Sequence, residues 1–330
     1  MSTGYEDRDY IKRYTMNDIN QHLTELHGSR YTKYRQEWEL AGKGQYVPET
    51  PLHFFIELTS YCNLRCKMCY HSYKTDHEYK NMPLEMVEKI AEQVKEFQIP
   101  AIEIGSGSEC LLHPEIKQVL NILKKSEAID FFVVTNGHKL TEEISACLID
   151  LQVERLKISL DAATDETYKK VRGASLEVVE ENIRTFLRLK KEKKSALPFL
   201  RLSFVKMKDN IEEIDLFYNK WKDYADIIDF QDCGDLSHVD EIRQVEMTDF
   251  MCPHPFEKLG INCDGDLTPC CTFYNKYLKV GNINDMTLME AWRSDRAVKL
   301  RQSFIDGNPP MVCKNCYAEL DYRDAKVTAA

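Results

Sequence analysis

Apolar residues gather in short β-rich runs at 54–58, 101–104, 131–134, 155–160, 199–205 and 227–230 of this 330-residue chain. Six strands are expected there. Between the runs the apolar period lengthens: Leu84, Val87, Ile90, Ala91, Val94 and Phe97 follow Pro83 at helical spacing, and 116–123, 144–151, 178–189 and 211–221 repeat the pattern. Strand and helix alternate throughout, which predicts parallel βαβ units with right-handed crossovers. Six such units make either a doubly wound sheet or an incomplete barrel, and the period alone does not choose between them.

The pattern changes at both ends. In residues 1–50, Tyr31, Tyr34, Trp38 and Ala41 recur at helical spacing before Val47-Pro48-Glu49-Thr50-Pro51, so a helical N-terminal extension is expected. Residues 51–235 form the main domain, 236–251 read as a polar linker, and 252–330 form a second domain. In that last stretch, apolar runs at 259–262 and 267–272 flank Asp264-Gly265, a hairpin signal because glycine tolerates positive φ. A helix over 286–304 is expected next, and Gly307-Asn308-Pro309-Pro310 then breaks the chain.

With 43% hydrophobic residues the chain can bury a genuine core. A net charge of −10 and the lack of a basic, aromatic-interleaved stretch argue against nucleic acid as a partner. Neither a signal peptide nor a bilayer-spanning run is present, so a cytoplasmic protein without membrane association is expected. In that reducing compartment twelve cysteines point to metal or redox chemistry rather than disulfides. Cys62, Cys66 and Cys69 form one knot; Cys252, Cys263, Cys270, Cys271, Cys313 and Cys316 form another; Cys110, Cys147 and Cys233 stand apart. Two knots suggest two inorganic sites.

Three thiolates can hold three irons of a cubane cluster and leave the fourth iron open to a ligand, whereas a zinc site would want a fourth ligand nearby. The C-x-x-x-C-x-x-C spacing, in the context Glu57-Leu58-Thr59-Ser60-Tyr61-Cys62-Asn63-Leu64-Arg65-Cys66-Lys67-Met68-Cys69-Tyr70, resembles the radical S-adenosylmethionine (SAM) superfamily motif. The resemblance implies an incomplete (β/α)6 barrel, an α/β fold, with a 4Fe–4S cluster in the loop after its first strand. It also implies a SAM site. Gly107, Ser108 and Glu109 stand where the family has its Gly-Gly-Glu-Pro segment, with Ser108 for the second Gly and Cys110 for the Pro. By the same analogy Asn136, Ser159 and Asp161 flank SAM, Arg172 reaches its carboxylate, and Tyr70 offers its backbone to the adenine. Such enzymes cleave SAM reductively to a 5'-deoxyadenosyl radical that abstracts a hydrogen atom from the substrate, with a donor such as flavodoxin or ferredoxin supplying the electron.

The second knot, with Cys252-Pro253-His254-Pro255-Phe256, Asp264-Gly265, Gly281-Asn282-Ile283 and Trp292, resembles the SPASM/twitch extension of that superfamily, a small α+β cysteine-rich domain. The resemblance implies a second 4Fe–4S cluster on Cys252, Cys270, Cys313 and Cys316, at a spacing similar to that of single-cluster aminocyclitol dehydrogenases. Cys263 or Cys271 is the alternative to Cys270, and zinc also suits four thiolates.

For the substrate step, Asp232, Cys233 and Asp235 follow the last barrel strand, at the rim where barrels place reacting groups. Cys233 is the candidate hydrogen-atom donor, competing with an ordinary packing role; Asp232 or Asp235 would orient a hydroxyl or amine. His71, His238 and His254 are candidate bases. The expected activity is that of an oxidoreductase or epimerase acting on a polyol, sugar or aminocyclitol. A maturase of a ribosomally made peptide is the alternative, and a non-catalytic iron–sulfur or zinc scaffold the third reading.

Overall fold

The computed structural model describes residues 11–15, 18–72, 78–234, 251–270 and 278–316. The chain opens with β1 (Ile11–Thr15), α1 (Ile19–His27) and α2 (Ser29–Gly42). Six strands follow: β2 (His53–Ile56), β3 (Ala101–Ile104), β4 (Asp130–Thr135), β5 (Arg155–Ser159), β6 (Phe199–Lys206) and β7 (Ile227–Asp232). They are parallel and adjacent in chain order. Their crossovers carry α3 (Leu84–Glu96), α4 (Ile116–Lys124), α5 (Glu142–Asp150), α6 (Asp165–Arg172), α7 (Leu176–Glu192) and α8 (Ile214–Trp221). The expected six-unit α/β arrangement is present, and the sheet does not close.

Both edges of the six-stranded unit are covered. β1 pairs antiparallel with β7, so residues 1–50, expected to be helical, supply a strand as well as two helices. An uncovered β7 would present a row of unpaired backbone groups, and Tyr14 of β1 packs on Tyr218 and Phe230. On the other edge, β8 (Lys258–Ile261) lies parallel to β2 and continues into β9 (Asp266–Thr268) and β10 (Gly281–Asn282). The C-terminal domain thus extends the same sheet. β8 and β2 approach so closely that a Cβ at Gly260 would sit 1.9 Å from the Phe55 ring. The hairpin turns at Gly265, whose φ is +85°, as its Asp-Gly signal predicts.

The helix expected over 286–304 is two helices, α10 (Leu288–Trp292) and α11 (Asp295–Ile305), after the short α9 (His254–Glu257). Ser294 accepts from Ala297 N–H and so starts a new helix where a continuous one was expected.

Leu156, Ile158, Leu200, Leu202, Ile228 and Phe230 pack with the helices in one large core. Alternation along each strand turns Arg155, Lys157, Ser159, Arg201, Ser203, Asp229 and Gln231 to the opposite, inner face. Below this face, Ile19, Leu23, Tyr31, Tyr34 and Trp38 of α1 and α2 share a second core with Ala101, Ile129, Phe199 and Ile227, at or just before the strand starts. The N-terminal helices therefore seal the end of the sheet opposite the cysteine loop.

Candidate functional site

The loop after β2 carries the first knot. Lys67 N–H donates to Val171 O at 3.0 Å, tying the loop to α6, and Cys69 N–H donates to Cys66 O at 3.0 Å. Ser72 Oγ donates to the same Cys66 carbonyl at 2.6 Å, and Arg65 Nη1 donates to Cys62 O at 2.9 Å. These bonds fold the eight residues of the motif back on themselves. Burial pushes the Cys62 thiol up to about 12, with Glu109, Cys66 and Cys69 adding to the rise. Burial also raises Cys66, against the lowering effect of Arg172, and raises Cys69.

Strand ends supply the surround. Glu109 is buried and accepts from Thr135 Oγ1 at 2.6 Å, Asn136 N–H at 2.7 Å and Leu111 N–H at 3.2 Å, which fastens the loop after β3 to the end of β4. Burial raises its pKa despite those donors. Asn136 Nδ2 donates to Asn63 Oδ1 within the cysteine loop at 2.9 Å. Gly107 O accepts from Tyr70 OH and from His71 Nε2, and Ser108 Oγ donates to Thr59 O. Gly105 has φ +96°, and a Cβ there would lie 1.8 Å from Val134 O, so only glycine lets this loop pass β4. Beyond β5, Asp161 pairs with Arg172 Nη2, and Arg172 Nη1 stands 3.7 Å from Cys66 Sγ.

The second knot gathers in the C-terminal domain. Cys252 precedes α9, Cys270 follows β9, and Cys313 and Cys316 lie in a helical turn at 311–316. Burial raises the Cys252 thiol well above its ordinary range, and Cys270, Cys313 and Cys316 all add to the rise. Cys313 is raised in the same way, by burial and then by Cys270 and Cys316. Four thiols thus share one neighbourhood. Cys263 lies instead with Glu57, Asp264 and Ser60, and Cys271 is outside the described residues.

Residues 56–204 match the radical SAM superfamily model, and residues 252–317 match the SPASM iron–sulfur cluster-binding domain. The chain carries a radical SAM domain followed by a SPASM domain. It is 31% identical over 131 residues to a probable GTP 3',8-cyclase of Methanococcus maripaludis, covering 39% of this chain and 43% of the relative. The chain spans about half the length of the first curated relatives it matches. It is 23% identical over 293 residues to the tungsten-containing aldehyde ferredoxin oxidoreductase cofactor-modifying protein of Pyrococcus furiosus, covering 74% of this chain and 81% of that one. Among solved structures, Streptococcus suis SuiB aligns with a TM-score of 0.59 at 16% identity, over 87% of this chain and 74% of that one. BtrN in complex with AdoMet and 2-DOIA aligns with a TM-score of 0.54 at 16% identity, over 80% and 92%. At these identities the likeness is one of fold.

A radical SAM enzyme with a SPASM domain uses SAM and iron–sulfur clusters, and the donor set of this chain suits both. Thiolates are the usual ligands of iron–sulfur clusters, and Arg172 Nε, buried and without a partner among the described residues, leaves a cationic donor available beside Cys66. Of the expected SAM-side residues, Tyr70, Gly107, Glu109, Asn136, Asp161 and Arg172 are joined to the cysteine loop or to each other by the bonds above. Ser159 ends β5 in register with Ser203. At the same C-terminal rim, on the strand farthest from β2 in the parallel unit, Asp232 ends β7 and pairs with Lys206 at 2.5 Å, and the half-buried Cys233 follows it. Asp235 and His238 lie outside the described residues. Glu57 and Asn63 carry no role in the motif that contains them. Glu57 is a carboxylate directly after an apolar strand, a signal for a functional group, and its burial pushes its pKa up to about 7. No helix among the described residues is long and apolar enough to cross a membrane.

Proposed function

We propose that this radical SAM enzyme abstracts a hydrogen atom from a small polyol, sugar or aminocyclitol, leading to oxidation or epimerisation of a carbinol carbon. The observation that carries the reading is the inner face of the sheet, where polar groups repeat along β5, β6 and β7. Arg201 Nε donates to Asp229 Oδ1 at 2.5 Å, and Gln231 Nε2 donates to Asp229 Oδ2. Ser159 and Ser203 stand above them in register. Such a surface offers donors and acceptors to hydroxyl and amino groups. A triphosphate, as the cyclase relatives' name suggests for those proteins, calls for surplus cations, whereas Arg155, Arg201 and Lys206 here each face a carboxylate.

We assign Cys62, Cys66 and Cys69 as ligands of a 4Fe–4S cluster with one open iron, and Cys252, Cys270, Cys313 and Cys316 as ligands of a second, fully ligated one. Bound SAM supplies the hydrogen-abstracting chemistry, and the residues around it orient it and exclude competing quenchers. In this reading Arg172 Nε and the loop at 107–109 hold SAM, Asp232 orients a substrate hydroxyl or amine, and Cys233 is the hydrogen-atom donor if the outcome is epimerisation. A fully ligated auxiliary cluster suits electron transfer to or from the substrate radical, and a flavodoxin or ferredoxin suits the role of external donor. A peptide substrate is the second reading, favoured by the likeness in fold to SuiB bound to its precursor peptide SuiA, a structure with a TM-score of 0.57.

Anaerobically reconstituted protein should bind about eight irons, the sum for two cubanes. With SAM, dithionite and a panel of polyols, sugars and aminocyclitols, mass spectrometry should find a product lighter by two hydrogens, or one inverted with deuterium taken up from heavy water. Replacing Cys313 and Cys316 by Ala should remove about half the iron and leave 5'-deoxyadenosine formation measurable while product formation is lost. Turnover of a precursor peptide with the whole small-molecule panel inert would overturn the substrate reading, and zinc in place of the second half of the iron would overturn the auxiliary cluster.

A further inference from the structure

Arg172 ends α6 and is buried although cationic. Its Nη2 donates to Asp161 Oδ2 and its Nη1 stands 3.7 Å from Cys66 Sγ. Asp161 is itself fixed from two sides: its Oδ1 accepts from Val205 N–H at 2.7 Å, and Asn210 Nδ2 donates to its carbonyl at 2.8 Å. Its backbone sits at φ +62°, an uncommon conformation for a residue other than glycine that the surrounding bonds maintain. The chain's own contacts therefore hold the guanidinium against the sulfur.

We propose that Arg172 raises the reduction potential of the iron–sulfur cluster at Cys62, Cys66 and Cys69 through its charge and its N–H contact with Cys66 Sγ, and that Asp161 positions it and limits the rise. The inference rests on the assignment of those three cysteines as ligands. Reduction adds one electron from a donor such as dithionite to the cluster, and no bond forms or breaks. The reduced cluster carries more negative charge, so a nearby buried cation and a hydrogen bond to a ligand sulfur stabilise it more than the oxidised one. Opposing this, the Asp161 carboxylate offsets the cation. The balance keeps the cluster reducible while leaving it reducing enough to cleave SAM.

Opposite shifts in two variants test the pair. In an EPR-monitored redox titration of reconstituted holoprotein without SAM, the signal followed is the component that is absent from protein lacking all three cysteines of the first knot. Arg172→Met should lower the reduced-to-oxidised ratio at a fixed potential about tenfold, about 59 mV for a one-electron couple. Asp161→Asn, which keeps the shape and an acceptor for Arg172, should raise that ratio. Arg172→Lys should fall between wild type and Arg172→Met. An unmoved potential in Arg172→Met, or shifts of the same sign in Arg172→Met and Asp161→Asn, would overturn the proposal while leaving the ligand assignment intact. A signal that survives loss of the three cysteines would instead overturn the assignment on which it rests.

Discussion

Glu57, directly after β2, turns its Oε2 to the Cys263 backbone N–H at 3.3 Å, across the seam between the two domains. Burial lifts its pKa from 4.5 to about 7, the Cys263 N–H opposes the rise and Asp264 adds to it. A carboxyl with a higher pKa folded than unfolded favours folding while protonated. Its contribution is complete below about pH 4.5 and lost as the pH rises through about 7. The shift corresponds to about 3 kcal/mol. Glu57→Gln, which keeps the acceptor, should therefore match wild type in denaturant unfolding near pH 4 and exceed it by up to that amount near pH 8. Stability curves that run parallel over this range would contradict the account. At this scale the cysteines were legible because their spacing is local in sequence. The contact of Arg172 with Cys66 was not, because it joins the end of α6 to the loop after β2, and these meet only once the sheet is folded.

At the scale of elements, the parallel strands and most of the helices were legible because apolar runs and helical periods record which faces are buried. β1 was not: its sequence, Ile-Lys-Arg-Tyr-Thr, is short with two of five residues charged, and its reason for being a strand is the exposed edge of β7. How α2 attaches was also hidden. Arg155 on β5 makes a two-pronged pair with Asp130 on β4, at 2.7 and 2.9 Å, and donates to Tyr31 OH of α2 at 2.9 Å. All three groups are buried, so the element that seals the sheet is keyed to it by one guanidinium. Asp130→Ala should cost about 3–5 kcal/mol by removing that buried cation's carboxylate partner, whereas Tyr31→Phe should cost about 1 kcal/mol. Chemical denaturation of the two variants checks the ordering, and a smaller loss for Asp130→Ala than for Tyr31→Phe would refute the key.

Across the whole molecule, the sequence suggested a barrel domain, a linker and a separate cysteine-rich domain, but the two folded parts share one ten-stranded sheet through β2 and β8. Side chains reinforce the seam: Gln93 Oε1 accepts from Leu288 N–H at 2.7 Å, and Trp292 Nε1 donates to Pro48 O at 3.0 Å. Pairing between strands some two hundred residues apart leaves no periodic trace in either, which is why this continuity could not be read from the chain. The shared sheet sets the second knot at a fixed place relative to the first. We assign to Cys62, Cys66 and Cys69 the cluster that reduces SAM. When all three are replaced by Ala, the protein is reconstituted anaerobically and 5'-deoxyadenosine is assayed with dithionite, about half the iron should remain and SAM cleavage should be abolished; cleavage at the wild-type rate would refute the assignment.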